Sequence, residues 1–178
     1  MKYSLFLLFL LACFACNNAK ETSPKTNANT YDELNKFFDD YWQERMPFYP
    51  LEATSSGDSL HNDLLAIGFT SSYRDSLKTF YTKYLDGINQ FTRGDLNESQ
   101  QISFDIFKRE MQIQIEGLSF YDNYTPFNQF GGLPLDLGQL GSGVGNQPFK
   151  TIKDYDNWIK RARRFSAWAD SAIVYFLK

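Results

Sequence analysis

The sequence predicts an all-α protein, a helical bundle of about four long helices with a Gly-rich crossover loop before the last one. Three observations support this fold class. Apolar residues recur with a helical period along most of the chain from residue 31 onward, helix-capping patterns precede the periodic segments, and no convincing strand pairs or internal repeats appear. The length of 178 residues fits one domain.

The first predicted helix starts at Thr30, because Thr30 and Glu33 form a capping-box pattern. Pro47 and Pro50 are expected to end it. Its apolar residues fall on one stripe, typical of a core-facing helix: Leu34, Phe37, Phe38, Tyr41 and Trp42. The segment that follows is mixed, with at most one short helical turn near residues 60–66.

A longer stripe predicts the second helix, entered through Thr70 and ending near Gly94. Its members are Tyr73, Leu77, Phe80, Tyr81, Tyr84, Leu85, Ile88 and Phe91. The third helix is capped between Asp95 and Glu98 and is apolar on two sides, so we expect it at the centre of the bundle. One side holds Phe104, Phe107, Met111, Ile115 and Leu118, and the other holds Ile102, Ile106 and Ile113.

Glycines and prolines interrupt the interval from Tyr121 to Lys150, which is therefore predicted to be a long loop, the crossover of the bundle. The last helix is predicted to start at Thr151 and to run to the end of the chain. No glycine, proline or polar cap follows it. We therefore expect residues 31–178 to form one helical domain that is an incomplete part of a larger fold.

Residues 1–16 have the character of a lipoprotein signal peptide. Lys2 is followed by an apolar run that ends in small residues and cysteine, and about 14 residues are too few to span a bilayer permanently. Leu10-Leu11-Ala12 before Cys13 gives the better aliphatic-then-small pattern, whereas Cys16 stands where polar residues begin. Either cysteine is a candidate for lipid attachment. We expect a protein of the cell envelope, anchored through lipid at the periplasmic face or the outer membrane.

Residues 17–30 contain no large apolar side chain and are predicted to be a disordered tether with a span on the order of 20 Å. The whole chain is slightly acidic, with 18 Lys and Arg against 21 Asp and Glu. Nucleic-acid binding normally needs clustered positive charge, so no nucleic-acid partner is expected. Attachment to the membrane must then come from the lipid rather than from charge.

His61 is the only histidine in the sequence, so a zinc site rich in histidine is excluded. With Asp58 and Asp63 it could bind a cation, but a solvated loop histidine is the simpler interpretation. Spacing alone identifies no nucleophile with its base and no pair of carboxylates across a cleft. We therefore assign no catalytic residue, no metal ligand and no cofactor to this chain.

Two further patterns have ordinary structural explanations. The run from Gly141 to Asn146 resembles half of a nucleotide fingerprint, but that motif needs a preceding strand and a glycine at position 146, so no nucleotide is expected. Lys160-Arg161 and Arg163-Arg164 could form a patch for an anion or a lipid headgroup. The preferred interpretation is a solvated helix face balanced by nearby aspartates.

Several short motifs share an order and spacing with a known family. They are Tyr41-Trp42 with Arg45, Pro50-Leu51-Glu52-Ala53-Thr54 leading to Gly57-Asp58, the helix Ser103 to Glu110, Asn128-Gln129 before Gly131-Gly132, and Thr151-Ile152-Lys153-Asp154-Tyr155. In these features the chain resembles the N-terminal part of the bacterial domain-of-unknown-function family DUF885, many of whose members are lipoproteins.

The resemblance implies an all-helical relative of zincin-like metallopeptidases, in which a His-Glu-x-x-His helix holds zinc and its glutamate activates water. This chain contains no His-Glu pair, so zinc is implied for longer members and not for this polypeptide. Asn128, Gln129, Gly131 and Gly132 are predicted to approach a peptide substrate, because glycines allow close backbone approach. The rival interpretation is a non-enzymatic helical lipoprotein that binds a peptide or protein partner.

Overall fold

The computed structural model of the chain describes residues 28–178, with side chains from residue 31 onward. The predicted signal peptide, Cys13, Cys16 and nearly all of the predicted tether lie outside the described residues. Within them the chain is helical and forms no strand, which confirms the all-α prediction. The helices are α1 (Ala28–Arg45), α2 (Pro50–Ser55), α3 (Ser71–Ile88), α4 (Glu98–Gly117), α5 (Leu133–Gly141), α6 (Ile152–Arg163) and α7 (Phe165–Phe176). None of them is long and apolar enough to cross a membrane.

Helix α1 begins two residues before the predicted start and ends at Arg45, ahead of Pro47 as expected. Its stripe packs aromatic rings against α3 and α4. The Phe37 ring lies 5.5 Å from that of Phe107, and the Tyr41 ring stacks on Phe80 at 5.5 Å. Trp42 is exposed, so it belongs to the edge of the stripe and not to the core.

Helix α3 supplies most of the buried side chains in the core that it forms with α1 and α4. Its stripe is buried as predicted, in Leu77, Phe80, Tyr81, Tyr84 and Ile88. The helix ends at Ile88 and not near Gly94, because the chain turns at Asn89 and forms a separate short 3-10 turn at Arg93–Asp95. Phe91 still packs beside this core although it lies outside the helix.

The prediction that α4 is the central helix is wrong. Asn97 caps it in a capping box with Gln100, and its first stripe is buried at Phe104 and Met111. The second stripe faces outward, since Ile106 is 65% exposed and Ile102 and Ile113 are also exposed. Helix α4 packs on α1 and α3 from one side, and no described element covers the other side.

Two helices were not predicted. Pro50, expected only to end the first helix, also begins α2, because proline is well suited to a first helical turn where no N–H bond is lost. The predicted long loop contains a 3-10 turn at Asp122–Tyr124 and helix α5. Helix α5 likewise has proline in its first turn, and its Leu137 packs into a core cluster with Phe69, Trp168 and Tyr175.

The last predicted helix is divided into α6 and α7 at Arg164. Thr151 caps α6 in a capping box with Asp154, as its sequence pattern predicts. The Arg164 N–H bonds to the carbonyl of Arg161, an i to i−3 bond that tightens the final turn of α6. The apolar stripe continues through the break to Trp168, Ala172 and Tyr175, which is why periodicity alone gave no sign of it.

Candidate ligand groove and the buried Arg161 network

An open apolar cavity of about 480 Å³ lies between α2, the start of α5 and the first half of α3. A cavity of this size can hold one or two large side chains of a ligand. Its lining is Phe48, Tyr49, Pro50, Leu51, Glu52, Leu65, Ala66, Gly68, Tyr73, Leu77 and Leu133. Glu52 is the single charged residue among them.

Hydrogen bonds fix the aromatic wall of this cavity. The Tyr49 and Tyr81 hydroxyls share a hydrogen bond at 2.5 Å, and the Tyr73 hydroxyl donates to the carbonyl of Phe48. Burial raises the pKa of Tyr73 and of Tyr81 well above the usual tyrosine value. The wall therefore presents ring faces held in fixed positions by these hydrogen bonds.

Glu52 is oriented by an arginine behind it. Arg45 Nη1 donates to Glu52 Oε1 at 2.5 Å, and the Arg45 guanidinium lies over the Tyr49 ring, 4.1 Å from its centroid. Burial alone would lower the pKa of Arg45, but the hydrogen bond and Coulomb attraction to Glu52 raise it. The arginine thus stays charged and holds the Glu52 carboxylate at the rim of the cavity.

A second cavity of about 350 Å³ adjoins the first and shares Leu51 and Glu52 with it. Its remaining lining is more polar: Ser55, Asp136, Gln139, Leu140, Gly145 and Asn146. Asn146 Nδ2 donates to Ser55 Oγ at 3.1 Å and ties this end of the glycine-rich run to α2. The two cavities together form one groove along α2, apolar on one side of Glu52 and polar on the other.

The four residues predicted to approach substrate form a tight turn beside this groove. The Asn128 N–H donates to the Gly131 carbonyl at 3.1 Å, and Asn128 Oδ1 accepts from the Phe130 N–H at 2.9 Å. None of the four lines either cavity, but Leu133, which follows Gly132, lines the larger one. The role of Asn128, Gln129, Gly131 and Gly132 in substrate contact stays a prediction.

Gly132 has a structural reason to be glycine. Its φ of +140° is one that residues with a side chain rarely adopt, and a Cβ there would lie 2.5 Å from Phe127 Cβ. At Gly131 no atom would lie within 4 Å of an added Cβ. Of the two glycines, only Gly132 is required by the turn that leads Leu133 into the cavity wall.

His61 is not the solvated histidine that the sequence suggested. It ends a 3-10 turn whose cap is Asp58, and its Nδ1 lies 3.0 Å from Asp58 Oδ2 with both side chains largely shielded. Asp58 also accepts a hydrogen bond from the Leu60 N–H, so the aspartate organises the turn. Residues 31–178 contain no group of three or more His, Cys, Asp or Glu side chains placed to hold a metal ion.

The interpretation of the basic run as a solvated face is wrong for Arg161. Its side chain is 0% exposed and crosses to the segment between α2 and α3. Nε donates to the Leu64 carbonyl at 2.8 Å, and Nη2 donates to the His61 carbonyl at 2.6 Å and to Thr54 Oγ1 at 2.9 Å. Arg163 and Arg164 are exposed as expected.

Burial lowers the pKa of Arg161 to about 10, although the charge of Asp63 acts in the opposite direction. No carboxylate forms an ion pair with it among the described residues; neutral oxygens surround it instead. A sequence signal for this role does exist. Arg161 stands on the apolar stripe between Trp158 and Phe165, the face that a buried residue must occupy.

The zinc implied by the resemblance does not fit the residues of this chain. A His-Glu-x-x-His site needs two histidines, and the sequence has one. That histidine is engaged with Asp58, and its immediate neighbours in the sequence are Leu60 and Asn62, not glutamate.

The described residues form an all-helical protein with a surface groove that is apolar at one end and more polar at the other. The family described as "Bacterial protein of unknown function (DUF885)" matches residues 50–177, a span that includes α2 to α7 and nearly all of the groove lining. The chain belongs to this family. No curated protein and no solved structure matches the chain.

Proposed function

We propose that this chain is the groove-forming helical portion of a membrane-anchored, zinc-dependent-peptidase-like protein, and that it binds peptide substrate along α2. The observation that carries the proposal is the groove itself, with an apolar cavity of about 480 Å³ next to a polar one. A groove of mixed character suits a peptide, because side chains can enter the apolar part while the backbone stays among polar groups.

In this proposal the chain contributes binding and not hydrolysis. The sequence supplies neither the histidines nor the His-Glu pair of a zinc motif. Hydrolysis would require a His-Glu-x-x-His helix from other residues, packed against this portion. The exposed apolar surface supports such packing, since Phe130 is 87% exposed and Tyr121 and Leu177 are also largely exposed.

A cavity-filling substitution tests peptide binding. Ala66→Trp places an indole in the apolar cavity, and Ala167→Trp makes the same change at an exposed position of α7. Titration calorimetry of the purified full chain with a short leucine-containing peptide should show binding that Ala66→Trp weakens at least about tenfold, an effect of about 1.4 kcal/mol. Ala167→Trp should bind as the unaltered protein does. Equal binding by both variants would contradict the location of the site.

Anchoring through lipid is the second part of the proposal. It is supported by the apolar run and the cysteines at positions 13 and 16 of the sequence. Mass spectrometry of the mature N-terminus from cell envelopes should find a diacylated cysteine, and it decides between Cys13 and Cys16. A mature protein that retains both cysteines unmodified would contradict the anchor.

The alternative is a non-enzymatic helical lipoprotein that binds a peptide or protein partner. The single histidine of the sequence favours it. It predicts a monomer that unfolds cooperatively and binds no apolar dye, whereas the peptidase-like portion should bind such a dye at its exposed aromatic side chains. Dye fluorescence and sedimentation of the same sample distinguish the two.

A further inference from the structure

The two cavities meet at α2, and their charged residues have one sign. Glu52 belongs to both linings, and Asp136 in the first turn of α5 belongs to the polar one. None of the described residues that line either cavity is Lys, Arg or His. A ligand in the polar part of the groove therefore faces two carboxylates and no positively charged lining residue.

Arg45 compensates part of the charge of Glu52, but it lines neither cavity and Asp136 lies outside this ion pair. Its hydrogen bond uses Glu52 Oε1, and its guanidinium lies over the Tyr49 ring instead of lining either cavity. Glu52 Oε2 is thus left for a ligand, and the Glu52 side chain is 41% exposed. The arginine holds the carboxylate in place, which reduces the rotamer freedom that a ligand would otherwise have to restrict.

The part of the groove on the other side of Glu52 has an apolar lining. Leu51, Leu65, Leu77 and Leu133 join the fixed rings of the aromatic wall, and this part of the lining offers no charge. A large aliphatic or aromatic side chain that enters here leaves water for apolar surface. Its neighbour along an extended peptide then lies near Glu52, at the junction with the polar cavity.

We propose that the groove selects a peptide segment in which a large apolar residue is followed or preceded by Lys or Arg. The apolar side chain occupies the cavity between α2, α3 and α5, and the cation lies between Glu52 and Asp136. This inference rests on the proposed peptide-binding function and specifies its substrate class. Both carboxylates are partly solvated, so the charge preference should weaken as salt concentration rises.

Four peptides of equal length, blocked at both ends, test the preference in calorimetric titrations of the full chain. Their central pairs are Leu-Lys, Leu-Gln, Leu-Glu and Ser-Lys. We expect Leu-Lys to bind about tenfold more tightly than Leu-Glu at low salt, with Leu-Gln between them. Ser-Lys should bind weakly, because it leaves the apolar cavity unfilled.

A matched pair of variants tests whether Asp136 contacts the basic residue of the peptide. Asp136→Asn removes one carboxylate from the groove, and Asp170→Asn makes the same change on an exposed face of α7. Asp136→Asn should reduce the Leu-Lys over Leu-Glu preference several-fold, and Asp170→Asn should keep it. Both variants retain a side chain of nearly the same shape, and circular dichroism checks that they fold.

The outcomes separate this inference from the function on which it rests. Equal affinity for Leu-Lys, Leu-Gln and Leu-Glu would overturn the preference for a basic residue and leave peptide binding intact. Failure of all four peptides to bind would overturn peptide binding and the preference together. A preference that survives Asp136→Asn unchanged would overturn the placement of the cation between Glu52 and Asp136.

Discussion

Arg161 on α6 donates a hydrogen bond from Nη1 to Gln147 Oε1 at 2.5 Å, and both side chains are buried. Gln147 in turn donates from Nε2 to the Asn62 carbonyl at 3.5 Å. The pair joins α6 to the segment after α2, the same segment that carries Leu65 and Ala66 into the groove wall. A buried cation with neutral acceptors thus fixes the position of the groove.

Arg161→Met should lower the free energy of unfolding by about 3 kcal/mol or more. The methionine fills part of the volume, but the Leu64 carbonyl and the buried Gln147 Oε1 lose the donor that Arg161 supplies. Arg163→Met on the exposed side of the same helix should stay within about 0.5 kcal/mol of the unaltered protein. Urea unfolding measures both, and equal midpoints for the two variants would show that the Arg161 network contributes nothing.

Gly132→Ala should destabilise the protein by about 1–3 kcal/mol, because alanine is strained at a φ of +140° and its Cβ would lie 2.5 Å from Phe127 Cβ. Gly131→Ala is the matched control, since nothing lies within 4 Å of the added Cβ. Thermal unfolding compares them. A Gly131 variant that is as unstable as the Gly132 variant would contradict the assignment of the strain to Gly132.

Buried tyrosines should make the protein less stable as pH rises above about 10. Burial raises the pKa of Tyr41 to about 12 and also raises that of Tyr84. The unfolded chain releases these protons near the ordinary value of 10.0, whereas the folded chain keeps them. The stabilising contribution of these tyrosines is therefore fully present below pH 10. Above pH 10 the free energy of unfolding falls by up to about 1.4 kcal/mol per pH unit for each such tyrosine.

Arg161 acts in the opposite direction, because its pKa is lowered and the folded chain loses that proton first. Tyr175, whose pKa is lowered by its hydrogen bonds with Ser71, acts in the same direction as Arg161. Four tyrosines with a raised pKa oppose these two groups, so the net trend is a loss of stability. Tyr81→Phe should make the fall with pH shallower, while Tyr121→Phe, at an exposed position, should leave it unchanged. Urea midpoints from about pH 9 to 11 measure the slope; a stability that rises over this range would contradict the prediction.

The two stripes of α4 should respond differently to truncation. Met111→Ala removes a fully buried side chain beside Tyr81 and Tyr84 and should cost about 2–5 kcal/mol. Ile113→Ala on the exposed stripe should cost less than about 1 kcal/mol. If Ile113→Ala proves as costly as Met111→Ala in urea unfolding, the second stripe is covered in solution.

Periodicity predicted the long helices well because their buried faces repeat along the chain. The stripes of α1 and α3 and the caps at Asn97 and Thr151 are local features, and the structure places them nearly where the sequence does. Helix α5 escaped prediction because glycines and a proline mask its short stripe. Its Leu137 is held by contacts with α7, which no local pattern contains.

The candidate groove was predicted only in part. The loop Asn128 to Gly132 leads to its wall, but Glu52 and Asp136 were not identified. They are 84 positions apart, and only the packing of α5 beside α2 puts both carboxylates in one lining. Spacing in a sequence carries no information about such a pair.

The sequence by itself determined the all-α class, the capped helix starts and the family, because each depends on residue order along short segments. Tertiary structure decided that Arg161, which stands on an apolar stripe, is covered and that the second stripe of α4 is exposed. The reason is the same in both cases. Burial depends on which elements pack together. The residue pattern of a helix shows which face is apolar, but it does not show whether another element covers that face.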